Sequence, residues 1–189
     1  MAKMLLAIDV EYDFLDGGKL GVDGSTEMID KSVIYVTNKG NEYAVAVASV
    51  DWHTITHCSF KENGGEWPSH GIQNSKGASI YEPLLMALNY HTNHFEVLTK
   101  GLDEDHEEYS IFKNKTSCER LKRLVEVFDI DEIDVFGIAY DYCVLDSLKD
   151  GLKVFPHIKF NVLKDFCPSI GDGIEATKFI ENSERIEFK

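Results

Sequence analysis

A thiol, an ammonium and a carboxylate stand out in this chain because each follows an apolar run. Cys143 lies in the stretch GIAYDYCVLDSL, directly after a run ending at Phe136, while Lys100 closes FEVLTK and Asp9 closes MLLAID. A cysteine in the first turn of a helix faces unpaired N–H groups and the positive end of the helix dipole, which lowers its pKa, and a nearby cation lowers it further. Lys100 would supply that cation and Asp9 would take the thiol proton as general base, while the free N–H groups of the turn would hold an oxyanion. In the plainer alternative Cys143 packs beside Val144 and Leu148 as a small apolar residue, Lys100 is solvated and Asp9 caps a loop. Spacing alone leaves both readings open. Cys58, Cys118 and Cys167 lack such partners and are expected to be structural.

A second constellation, Asp51-Trp-His53-Thr-Ile-Thr-His57, is followed by Trp67-Pro-Ser-His70. One carboxylate and three imidazoles suit zinc, iron(II) or manganese, with positions left for water or a ligand. Asp51 and His53 point to the same side if the strand continues, so both can reach one ion. Three of the chain's 7 histidines fall in this irregular segment beside a strand end, which favours a metal over a merely hydrogen-bonded polar loop. His91, His94, His106 and His157 have no such company and read as surface residues.

Short apolar runs must position these groups. Met4–Ile8, Ala44–Val50, Phe95–Thr99, Ile133–Ile138, Phe160–Leu163 and Arg185–Phe188 read as strands. They alternate with helical patterns over Glu27–Lys39, Ile80–Leu88, Cys118–Phe128, Tyr142–Leu152 and Ile174–Asn182, with Thr116 and Glu119 at capping-box spacing. That alternation predicts an α/β fold: three α/β/α layers around a mostly parallel sheet of about six strands. Ligands of such sheets gather outside the carboxyl ends of the strands, where Asp9, Asp51, His53, Lys100 and Cys143 all fall. The segment 51–77 has neither periodicity, and a loop that long in a compact domain is usually functional.

Composition narrows the function classes. A length of 189 residues, without repeats or a composition shift, suits one domain over 1–189. The formal charge of −14 repels a polyanion and no Lys/Arg cluster offsets it, so no nucleic acid is expected. The N-terminal MAKMLLAIDVEYDF carries an apolar run too short for a signal sequence or a membrane span. With 4 cysteines and no CxxC pair, a reducing, cytoplasmic home follows. A homo-oligomer stays open.

At these residues the sequence resembles the nicotinamidase/pyrazinamidase group of the isochorismatase-like cysteine hydrolases. The matching motifs are AIDVEYDFLDGGKLGVDG, VDWHTITHCSF, WPSHGIQNSKGA, LTKGLDEDHEEYSIF and GIAYDYCVLDSLKDG, in the family's order and thinning out after about Asp165. The resemblance implies Asp9, Lys100 and Cys143 as catalytic set, backbone N–H groups of Ala139 and Cys143 as oxyanion donors, and a cis bond between Ile138 and Ala139. It places Phe14 and Trp67 on either side of a pyridine ring, with Tyr109 along the same pocket. Asp51, His53 and His70 match the metal ligands, and His57 is a ligand in some members only. Zinc leads among the ions, before iron or manganese. The implied reaction is deamidation of nicotinamide to nicotinate and ammonia in NAD salvage, through a Cys143 thioester. Alternatives are another amide or N-carbamoyl hydrolase of the superfamily, or a non-catalytic metal- or ligand-binding relative. Members usually carry glutamine where this chain has Glu11, so a second carboxylate stands close to Asp9.

Overall fold

The computed structural model describes residues 2–189. Six strands, β1 (Ala2–Ile8), β2 (Val45–Asp51), β3 (Phe95–Lys100), β4 (Ile130–Gly137), β5 (Lys159–Val162) and β6 (Ile186–Phe188), form one sheet in the order β3-β2-β1-β4-β5-β6. All five pairings are parallel, which explains why β1 and β2 read as unbroken apolar runs: β2 is buried at every position. The five helices are α1 (Ser25–Lys39), α2 (Glu82–His91), α3 (Lys115–Val127), α4 (Leu145–Val154) and α5 (Ile174–Glu181). The chain winds outward through β2 and β3, then returns across β1 to β4, β5 and β6. Right-handed crossovers therefore put α1 and α2 on one face and α3 to α5 on the other. The three-layer expectation holds, with all strands parallel.

Helix ends depart from the sequence reading in instructive ways. Asn114, not the Thr116–Glu119 pair, caps α3, its side chain accepting from the Ser117 N–H. The first turn of α1 is closed from a distance, Asp16 accepting from the N–H groups of Gly24 and Thr26. Between β4 and α4 the chain makes a wide π-type turn, Tyr140–Val144, so Cys143 sits in that turn just ahead of α4. The winding direction changes between β1 and β4, and the carboxyl ends of these two strands open the crevice in which such sheets bind ligands. Among the described residues no helix is long and apolar enough to cross a membrane.

Candidate active site

Sheet register assembles the first three groups. Asp51 pairs with Lys100 across β2 and β3, and Ile8 pairs with Ser49 on one side and Gly137 on the other. Asp9 follows β1 with φ 50, a left-handed conformation that aspartate tolerates better than most residues. Gly137 (φ +136) lets β4 pass close to Ile8, where a side chain would collide with the Ile8 backbone. The Ile138–Ala139 bond that follows is cis.

Lys100 is fully buried, with its Nζ 2.9 Å from Asp9 Oδ2, 2.5 Å from Asp51 Oδ1 and 3.6 Å from Cys143 Sγ. The solvated lysine is thereby excluded. Ser49 donates from Oγ to Asp9 Oδ1 at 2.7 Å, fixing the carboxylate plane. Asp9 Oδ2 is close enough to Lys100 for an ion pair, yet it is not aligned for a hydrogen bond and keeps a free lone pair. A carboxylate oxygen of Asp9 and the Cys143 sulfur lie within 4.8 Å.

The electrostatics correct one expectation. Burial pushes the Cys143 thiol well above its usual range; Lys100 opposes the rise, and the charges of Asp9 and Asp51 add to it. The thiol therefore rests neutral. Burial also raises Asp9, with Lys100 offsetting part of the rise, so the carboxylate has an enhanced affinity for the proton it would receive. Burial opposes the charge on Lys100, but Asp51 and Asp9 hold its pKa well above the ordinary value.

Glu11 turns inward, fully buried, and accepts the Asp51 N–H at 2.7 Å. Burial, then the charges of Asp51 and Asp9, push its pKa well up, so it is held neutral and resembles the glutamine usual at this position. In the unfolded chain Glu11 ionises near 4.5, whereas the fold keeps its proton to higher pH; stability therefore drains as pH rises through that window. Glu11→Gln is expected to be more stable than the parent near neutral pH by about 1–3 kcal/mol, the gap closing at about pH 4. Denaturant titrations at the two pH values check this, and a pH-independent gap contradicts it.

Asp51, His53 and His70 bring one donor atom each within 4.8 Å of one another. His53 Nδ1 pairs with the Gly101 carbonyl at 2.9 Å and His70 Nδ1 with the Pro68 carbonyl at 2.8 Å. Both contacts put the proton on Nδ1 and leave the Nε2 lone pairs facing Asp51 Oδ2, at 3.5 and 3.9 Å. Gly101 (φ +69) is needed there, since any side chain would strike the His53 ring. Burial would raise Asp51, but Lys100 and His53 hold it well below the usual carboxylate range. A carboxylate kept ionised, two oriented imidazoles and a buried His53 Nε2 without a partner fit a divalent cation. His57 is not one of that group of donors: its ring lies tilted against His53 at 3.9 Å, its Nδ1 meets Ser59 Oγ at 2.8 Å, and burial lowers its pKa to about 4.

Between the two constellations lies a cavity with Cys143 and Ala139 on its wall. Phe14, Trp67 and Tyr109 line it as expected, with Trp67 Nε1 donating to the Tyr109 hydroxyl at 2.9 Å. Leu20, Glu107, Tyr142 and Ile170 also line it, and sequence reasoning missed all four. The Tyr140, Tyr142 and Val144 N–H groups bond to carbonyls, whereas the Ala139 N–H finds no acceptor among the described residues. It is thus available to a ligand. Of the other cysteines, Cys118 and Cys167 are buried and Cys58 half-buried, all free. Among the histidines read as surface residues, His94 has a side chain 41% exposed and pairs with Glu96 at 2.7 Å.

No family model matches the chain. It is 31% identical over 191 aligned positions to the nicotinamidase of Escherichia coli (strain K12), covering 89% of this chain and 84% of that one. Among solved structures it matches the pyrazinamidase of Pyrococcus horikoshii in complex with zinc, at TM-score 0.84 and 27% identity, over 100% of this chain and 99% of that one. It also matches PnC1 from L. infantum in complex with nicotinate, at TM-score 0.86 and 27% identity, over 100% and 92% of the two chains.

Proposed function

The chain belongs to the nicotinamidase family, and from that premise we propose that it hydrolyses nicotinamide to nicotinate and ammonia, a step in NAD salvage. The observation that carries this reading is the buried Lys100, which holds Asp9 beside Cys143 and, through Asp51, joins that pair to the candidate metal ligands.

Asp9 takes the thiol proton as Cys143 Sγ attacks the carboxamide carbon, and the N–H groups of Ala139 and Cys143 receive the negative oxygen. Asp9 then delivers its proton to the departing nitrogen, and ammonia leaves a thioester on Cys143. Water attacks that thioester with Asp9 again as base, nicotinate departs, and the proton returns to the sulfur. Lys100 favours the ionised form of Asp9 between turnovers, against the burial that opposes it. Asp51, His53 and His70 would hold a divalent cation, zinc in this reading, and what it supplies when bound is a coordination position for the ring nitrogen. Phe14, Trp67 and Tyr109 enclose the ring. The apolar cavity favours a flat aromatic amide over an N-carbamoyl chain. We read 1–189 as one domain carrying this activity, and its free thiols fit a reducing cytoplasm.

An ammonia-release panel over nicotinamide, pyrazinamide and an N-carbamoyl amino acid, with and without chelator, tests the proposal. Nicotinamide turnover that falls at least about tenfold on chelation and returns with zinc is expected. Preference for the N-carbamoyl compound, or no release from any amide, rejects it.

A further inference from the structure

The segment Pro168–Gly173 leads into α5 from the short turn Lys164–Phe166 that follows β5, where resemblance to the family has faded. Three hydrogen bonds nevertheless tie it to the turn that carries Cys143. The Tyr140 N–H donates to the Pro168 carbonyl at 2.8 Å. The N–H groups of Ile170 and Gly171 donate to Asp141 Oδ1 and Oδ2, at 3.0 and 2.6 Å. One carboxylate thus grips two successive peptide groups of a loop without regular structure. The residue it fixes, Ile170, lines the cavity together with Phe14, Leu20 and Trp67, yet 42% of its surface stays exposed. An apolar side chain pinned at a cavity mouth and half open to water gains burial only when something apolar lies against it.

We propose that Ile170 is a specificity-determining wall of the ring site and that Asp141 is the positioning residue that holds it there, selecting flat carboxamides without bulky ring substituents. The inference rests on the function proposed above. Asp141 acts on binding through the loop and leaves the chemistry at Cys143 alone. Removing the Ile170 side chain takes away one face of the ring's contact and opens room for substituents. Weakening the Asp141 grip lets the same wall drift.

Protection of Cys143 against iodoacetamide reads ring binding whether or not ammonia is released, so failure of the parent function and failure of this proposal are separable. In Ile170→Ala the nicotinamide concentration giving half-protection should rise about tenfold, and the preference for nicotinamide over a ring-methylated analogue should fall about tenfold. Asp141→Asn keeps one acceptor oxygen and should fall between the parent and Asp141→Ala. The alkylation rate of the unliganded thiol should stay within about twofold of the parent in all three, a readout that general damage to the nucleophile turn would move. Should Asp141→Ala not fold, Ile170→Ala and Ile170→Val carry the test alone. Half-protection and ring preference within about twofold of the parent in Ile170→Ala, or slowed alkylation of the unliganded thiol in Asp141→Asn, overturns the proposal.

Discussion

Cys143→Ala is expected to lower kcat for amide hydrolysis by about 10³-fold or more, leaving stability within about 1 kcal/mol of the parent. The sulfur lies 3.6 Å from Lys100 Nζ, and a carboxylate oxygen of Asp9 lies within 4.8 Å to receive its proton. Cys143→Ser should be nearly as inactive, because a hydroxyl in this buried setting gives up its proton far less readily than a thiol. The neutral resting thiol adds a second expectation. Iodoacetamide should label the free enzyme slowly near neutral pH and faster as pH rises, since burial keeps the thiol protonated. Ammonia release above a tenth of the parent rate in a folded Cys143→Ala protein would exclude covalent catalysis by this residue.

Lys100→Met should be the most destabilising single change in the site. It leaves the carboxylates of Asp9 and Asp51 buried side by side without their shared cation, a loss of about 3–5 kcal/mol. For a chain of this size that lowers Tm by about 10 °C. Activity should vanish as well, because without Lys100 the burial and the Asp51 charge that already raise Asp9 lose their main counterweight, leaving only the Ser49 hydrogen bond, and a protonated Asp9 cannot accept the thiol proton. The double variant Asp9→Asn, Lys100→Met separates the two effects. It removes one of the stranded charges and should recover part of the stability without recovering ammonia release. A Lys100→Met protein that melts like the parent would show that the buried cation balances neither carboxylate.

Much of this site was legible in the sequence, since strand ends can be read from apolar runs and parallel register then sets them side by side. That places Asp9, Lys100 and Cys143 at one edge, while their roles as a set follow from the family resemblance. Ser49 was overlooked inside the run AVAVASV, although a lone hydroxyl two positions before Asp51 in a buried strand needs a partner, and Asp9 is that partner. The orientation of Glu11 was not legible: it follows the left-handed residue Asp9, where strand alternation no longer applies. Nor was the raised thiol pKa, because proximity to a helix start is visible in sequence but complete burial beside carboxylates is not. Ile170 lies in an irregular loop with no period at all, and only the tertiary bonds to Asp141 bring it to the cavity.

The claim that Cys143 carries the acyl group is tested most directly by rapid acid quench of enzyme and nicotinamide, followed by peptide mass analysis. A nicotinoyl adduct confined to the peptide containing Cys143, formed within the first turnover and discharged as a hydroxamate when hydroxylamine is present, is the predicted result. First-turnover ammonia release with no adduct on any peptide, or an adduct on another residue, would contradict it.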